Sequence, residues 1–321
     1  MHFDINKIRN YFPVLRQEIY NKPLVYFDNA ASTQKPLQVL LAYEKIHNDY
    51  YGNIHRAAHF MADKATADFE AVREKVRNFI NAASVNEIIF TKGTTESINL
   101  VAASFGEQFI KPGDEIIVSE MEHHSNIVPW QLLNIRKGAK IIKLPVSDTG
   151  QLQTGLLPEL INAKTKLIAV THVSNVLGTV NPVKQIIETA HARGVAVLVD
   201  GAQAVQHMPV DIRNLDADFY TFSAHKMYGP NGVGVLYGKN KWLEQMPPYQ
   251  GGGEMISEVT FEKTTFSEIP FKFEAGTPNI SGVISFAGAI DMLTEAGLTN
   301  IAGWEKNLLQ YAAEKLQSFK G

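Results

Sequence analysis

The chain has 321 residues, 45% of them hydrophobic and 20% charged, with a net charge of −3 spread over both signs. That length sustains a large core and about two domains, and the lack of any basic tract or stripe argues against a nucleic-acid partner. There is no cysteine, which excludes disulfides, thiolate metal sites and a thiol nucleophile within these residues.

In chain order, the first 20 residues carry charges of both signs and no apolar core of signal-peptide length. No run approaches the roughly 18 apolar residues of a membrane span, so the expectation is a soluble, cytoplasmic protein without membrane contact. INKIRNYFPVL reads as a short amphipathic helix ended near Pro13. VYFDNAAST reads as a short strand running into small residues. Over 60–81, Phe69, Val72, Val76, Phe79 and Ile80 recur at helical spacing, with charges on the other face.

Short apolar strands and helices then alternate. EIIF (87–90) precedes a helix starting near Thr95, and EIIV (115–118) precedes one near 126–137. KLIAV (166–170) leads to a helix at 183–193, followed by VAVLV (195–199), FYTF (219–222) and VGVLY (233–237). This alternation predicts an α/β fold with a mainly parallel sheet covered on both faces. Beyond 240, PPYQGGGEM is loop-like, FEKTTFSEIPFKFEAGTPN is expected to be extended and exposed, and 282–321 helical.

Ligands of such sheets bind at the carboxyl ends of the strands, where the polar clusters TKGTTES, EMEHHSN, THVSN, DGAQA and SAHK fall. Lys226 directly follows a buried-looking strand. It is either a solvated surface charge or a partly desolvated amine able to attack a carbonyl and form a Schiff base. Asp200 ends VAVLVD, as an N-cap or as the partner of a cofactor cation such as a protonated pyridine nitrogen. TKGTTES fits a phosphate-holding helix start at Thr94 and Thr95, or a plain helix capped by Thr95. Adjacent His123 and His124 side chains diverge, so no metal is expected; His123 suits a stacking or proton-transferring imidazole, or a structural one. His55, Arg56 and His59 lie in what is otherwise a polar loop ahead of the 60–81 helix.

Taken in order, YFDNAASTQKP, HRAAHFMADKAT, FTKGTTESINLVA, EMEHHSNIVPWQ, THVSNVLGTVNP, VDGAQA, SAHKMYGPNGVG and FEAGTPN resemble the pyridoxal phosphate (PLP)-dependent cysteine desulfurases. These belong to the class V aminotransferase superfamily, here the group II, SUF-pathway type. The resemblance implies an aminotransferase fold type I large domain at 21–295, with 1–20 and 296–321 belonging to a small domain. It implies that Lys226 forms the internal aldimine with PLP and then moves protons. His123 would stack on the ring and assist proton transfer, Asp200 would pair with the pyridinium nitrogen, and Gln203 would bond the phenolic oxygen. Thr94, Thr95, Ser223 and His225 would hold the phosphate, and Thr277 would reach the phosphate of a partner subunit in a homodimer. Asn175 would lie near the substrate carboxylate and His55 would border the site.

The implied reaction takes L-cysteine to L-alanine and passes sulfane sulfur, through an enzyme persulfide, to a SUF-type acceptor protein for iron–sulfur cluster assembly. The persulfide cysteine and the carboxylate-binding arginine of that family are not found, so the sequence is expected to be C-terminally truncated and inactive in persulfide formation. A selenocysteine lyase or related class V β-lyase acting on L-selenocysteine would share the cofactor cluster, as would a catalytically silent PLP-binding protein. A nicotinamide-binding oxidoreductase is not supported, because no GxGxxG follows an early strand.

Overall fold

The structure is a computed structural model that describes residues 3–56 and 58–319. The outermost residues of the two expected small-domain segments, and Ala57 in the HRAAH motif, lie outside it. The helices in chain order are α1 (Ile5–Arg9), α2 (Leu37–Asp49), α3 (Phe60–Phe79), α4 (Thr94–Phe109), α5 (Val128–Lys137), α6 (Leu157–Leu160), α7 (Val183–His191), α8 (Ile212–Leu215), α9 (Asn240–Leu243), α10 (Ile280–Ala296) and α11 (Leu298–Gln317). The strands are β1 (Glu18–Ile19), β2 (Lys22–Pro23), β3 (Ile88–Thr91), β4 (Glu115–Ser119), β5 (Lys140–Leu144), β6 (Thr165–Thr171), β7 (Ala196–Asp200), β8 (Phe219–Ser223), β9 (Gly234–Gly238), β10 (Ile256–Val259) and β11 (Thr264–Phe266).

Seven strands form the central sheet in the order β3-β9-β8-β7-β6-β4-β5. Only β9 runs against the rest, pairing antiparallel with β3 and β8, while β4, β5, β6, β7 and β8 pair in parallel. The expected mainly parallel sheet is therefore present. Its reversed strand follows from the short turn after β8: a parallel return needs a long crossover, whereas a tight turn delivers the next strand antiparallel.

Side chains along a strand alternate between its faces, and here both faces are buried. Val197 and Val199 of β7 join one core with Ile168 and Val170 of β6, and with residues of α3, α7 and α10. Ala196 and Leu198 join a second core on the other face, with Ile98, Val101 and Phe105 of α4 and Trp130 of α5. Gly288 of α10 lets the backbone of α2 come close, since a Cβ there would sit 3.0 Å from the Gln38 carbonyl carbon.

Several expectations are corrected. VYFDNAAST forms no strand: Val25 and Phe27 are exposed, and the segment is held instead by bonds to Gln203 and to the turn after β8. The first helix stops at Arg9, and Pro13 opens a 3₁₀ turn (Pro13–Arg16), because proline suits a helical first turn. The helix placed at 126–137 starts at Val128, after a 3₁₀ turn (His124–Asn126). Helix α2 and edge strand β5 were not anticipated. The stretch expected to be extended after 260 supplies β11, whose hairpin partner β10 lies just ahead of it, but its end folds inward: Phe273 is buried and the Glu274 side chain is only 8% exposed. Along α11, Leu308, Leu309 and Leu316 are exposed. No described helix is long and apolar enough to cross a membrane.

Candidate active site

A cavity of about 530 Å³ opens at the carboxyl ends of β6, β7 and β8, bounded by the start of α4 and by residues 28–31. Thr94, Thr95, His123, Asn175, Asp200, Gln203, Ser223, His225 and Lys226 all line it. The parallel sheet explains the convergence, because it delivers the ends of its strands to one edge.

Asp200 ends β7 and is 4% exposed. Its Oδ1 accepts from the Ala202 N–H at 2.9 Å. Burial raises its pKa, opposed by that N–H and by the charge of Lys226. Lys226 closes the 3₁₀ turn (Ala224–Lys226) that follows β8. Burial lowers its pKa and Asp200 opposes the shift, so the neutral, nucleophilic amine is more accessible than in an ordinary lysine. The cavity thus faces a desolvated amine with a buried carboxylate.

The start of α4, which lines the same cavity, suits an anion. Helix α4 points its first turn into that cavity, and the N–H groups there lack intrahelical acceptors. Gly93, not Thr95, is the residue that caps this helix. Thr95 is left exposed to the cavity, while the Thr94 N–H and hydroxyl both meet Ser223 Oγ at 2.8 Å. β9 approaches this turn so closely that a Cβ on Gly234 would stand 2.3 Å from Gly93 Cα.

His123 Nδ1 accepts from the Ser125 N–H at 3.1 Å and lies 2.8 Å from Ser125 Oγ, which leaves Nε2 as the protonated nitrogen of the neutral ring. Burial, then Lys226 and His124, lower its pKa. The residue before it in the chain, Glu122, is buried. Its carboxyl is bonded to Ser119 Oγ and accepts from Asn126 Nδ2 at 2.6 Å and from the Thr171 N–H at 2.7 Å. Burial pushes it up to about 8, against those bonds.

His55 and Thr277 are not brought to this cavity within the chain. His55 Nε2 meets Glu70 at 3.0 Å and lies with Phe271 and Pro278 in a separate pocket. Thr277 is exposed along a groove with Tyr249 and Asn279. Conversely, Asp28, Ala30, Ala31 and Thr171 line the cavity without having been singled out. The run of small residues in DNAAST was the available signal, obscured by reading the segment as a strand. Among the described residues, no three His, Asp or Glu are grouped to hold a metal.

The aminotransferase class-V family model matches residues 25–321. The chain belongs to that family, whose members are PLP-dependent enzymes. Cysteine desulfurases are among its relatives: the one from Escherichia coli O7:K1 is 50% identical over 319 residues, covering 99% of this chain and 79% of the relative. That from Serratia proteamaculans is 52% identical over 318 residues, covering 99% and 78%. The crystal structure of the E. coli cysteine desulfurase CsdA superposes with a TM-score of 0.92 at 41% identity, covering 100% of this chain and 79% of that one.

The residues present fit the family's cofactor. The volume lies in the range of about 300–1,000 Å³ usual for small-molecule sites. An amine, an anion-binding helix start and a buried carboxylate line one cavity, matching an aldehyde, a phosphate and a basic ring nitrogen.

Proposed function

We propose that this chain carries out the cofactor and Cα chemistry of a PLP-dependent cysteine desulfurase, taking L-cysteine towards L-alanine. The observation that carries this reading is the single cavity holding Lys226, Asp200 and the start of α4 together. When bound, PLP supplies an electron sink that weakens bonds at the substrate Cα. Lys226 Nζ would be the nucleophile that holds the cofactor and, once freed, the base for the substrate Cα proton. Asp200 would hold the proton on the ring nitrogen, and His123 would stack on the ring and move a proton through Nε2. Thr95, His225 and the N–H groups of α4 take the phosphate, with Thr94 and Ser223 shaping its seat. Gln203 takes the phenolic oxygen and Asn175 the substrate carboxylate.

The thiol that accepts sulfur is supplied by none of these 321 residues, which contain no cysteine. We assign the sulfur onward to an acceptor protein of the SUF type. Exposed Thr277 and His55, both outside the chain's own cavity, are assigned to the site of a second copy in a homodimer. Residues 1–20 and 296–321 group as a small domain beside the large domain at 21–295. The ring centroids of Phe3 and Trp304 lie 6.2 Å apart, which supports that grouping, while Lys7 Nζ and Tyr11 OH bond Glu295 at the end of the large domain, at 2.7 Å and 3.1 Å.

The test is an absorption titration with PLP, followed by borohydride reduction and mass mapping. A reduced pyridoxyl group on Lys226, absent in Lys226→Ala, is expected. Capture at another lysine, or none, overturns the reading. Product analysis in the presence of a thiol acceptor then separates desulfuration, giving alanine, from C–S lysis, giving pyruvate and ammonia.

A further inference from the structure

The segment Ser32–Lys35 is joined to the turn that carries Lys226 by a dense set of bonds. The carbonyl of His225 accepts from the Thr33 N–H at 2.9 Å, Thr33 Oγ1 at 2.9 Å, Ser32 Oγ at 3.3 Å and Lys35 Nζ at 3.3 Å. A carbonyl oxygen has two lone pairs, so four donors converge on a single acceptor. Thr33 Oγ1 also accepts from the Tyr228 N–H at 2.7 Å. One buried hydroxyl therefore holds the backbone on both sides of Lys226 and Met227. Tyr228 has a φ of 68°, a left-handed conformation that a bulky residue keeps only when its surroundings impose it. The far end of the segment is also fixed: Gln203 Nε2 donates to the Ala30 carbonyl at 2.6 Å, and Tyr26 OH to the Ser32 carbonyl at 2.7 Å.

We infer that residues 30–35 form a strap at the edge of the cavity, which Ala30 and Ala31 line, and that Thr33 and Lys35 are positioning residues for Lys226, fixing the backbone on either side of the Lys226–Met227 pair. The inference rests on the reading of Lys226 as the cofactor-binding lysine. The strap keeps the amine withdrawn from water, and burial is what lowers the Lys226 pKa. The charged and titratable groups facing that amine are Asp200 from the end of β7, His123 from ahead of α5, and His225 from its own turn. Lys35, on the strap, acts on His225, and its own pKa is lowered by burial to about 8.

The test is Thr33→Val, which keeps the shape and the backbone N–H but removes both hydroxyl bonds. Competitive acetylation of the apoprotein across pH, read by mass spectrometry at Lys226, gives the titration midpoint of that amine. The midpoint is expected to rise towards the ordinary lysine value, and the PLP dissociation constant to rise about tenfold, the scale of the lost bonds. Thr33→Ser is expected to restore both. A Thr33→Val protein that is less stable, yet has an unchanged Lys226 midpoint and PLP affinity, overturns the inference. If Thr33→Val does not fold, Lys35→Met under the same measurements decides, and unchanged values overturn it. A wild-type protein that takes no PLP on Lys226 refutes the functional reading instead, whatever the labelling midpoints show.

Discussion

Arg73 is a buried charge whose removal is expected to cost several kcal/mol, about 3–5. Its side chain is 1% exposed, yet all five guanidinium hydrogens have acceptors. Nε and Nη2 donate to Glu70 at 2.8 Å and 3.1 Å, Nη1 and Nη2 to Glu274 at 2.7 Å and 3.0 Å, and Nη1 to the Ile88 carbonyl at 2.8 Å. The guanidinium also lies 4.7 Å from the Phe90 ring centroid. Burial opposes its charge, but the two carboxylates outweigh burial and hold the pKa above the ordinary value. Arg73→Met fills most of the volume but leaves Glu274 buried without its cation, a loss of about 3–5 kcal/mol. Glu70 is one-third exposed and adds little.

Glu274→Gln keeps an acceptor for the Phe90 N–H, which meets Glu274 Oε1 at 2.7 Å. The double variant Arg73→Met/Glu274→Gln removes the stranded charge, so it is expected to be at least about 1 kcal/mol more stable than the sum of the single losses implies. Urea unfolding followed by circular dichroism measures all three. A loss below about 1 kcal/mol for Arg73→Met, or strict additivity in the double variant, would refute the argument that the cost lies in the stranded carboxylate.

Two further expectations concern the scaffold. His172 is buried against Tyr220 OH at 2.9 Å, and burial lowers its pKa to about 4. Between its ordinary value of 6.5 and about 4, the unfolded chain binds a proton that the folded protein refuses. Its contribution to stability is thus intact above 6.5, falls as pH drops through that window, and levels off below. Unfolding free energies measured across pH are expected to flatten there in His172→Asn; an unchanged slope would contradict this. Gly234→Ala would drive a methyl into the backbone of Gly93, so it is expected to cost about 1–3 kcal/mol or more. Because it displaces the start of α4, it should weaken inorganic phosphate and PLP binding together. A calorimetric titration showing wild-type affinity for both would exclude that coupling.

Strands whose residues are buried on both faces were legible because continuous apolar runs such as VAVLV and KLIAV have few other uses, and the polar residues closing them marked the ligand edge of the sheet. Edge strand β5 was not, since KIIKL is short, flanked by lysines and only half-buried. Helix α2 was missed because apolar residues occupy more than one side: Val39 and Ile46 are buried, while Leu40, Leu41 and Tyr43 are exposed. Its pattern lacks the single clean stripe that identifies a helix.

The order and chemistry of the polar clusters were written in the chain itself, since residue types such as the Lys226 amine, the Asp200 carboxylate and the TKGTTES turn have intrinsic reactivities and local conformations. What only the tertiary structure decided is their environment. Whether Lys226 is solvated or withdrawn depends on a strap about 190 residues away in sequence, whose donors meet the His225 carbonyl only after folding. Whether His55 faces the cavity or Glu70, and whether Glu274 is loop or buried counter-ion, depends likewise on contacts between distant segments. Burial and charge pairing are properties of the folded surroundings, and local sequence does not contain them.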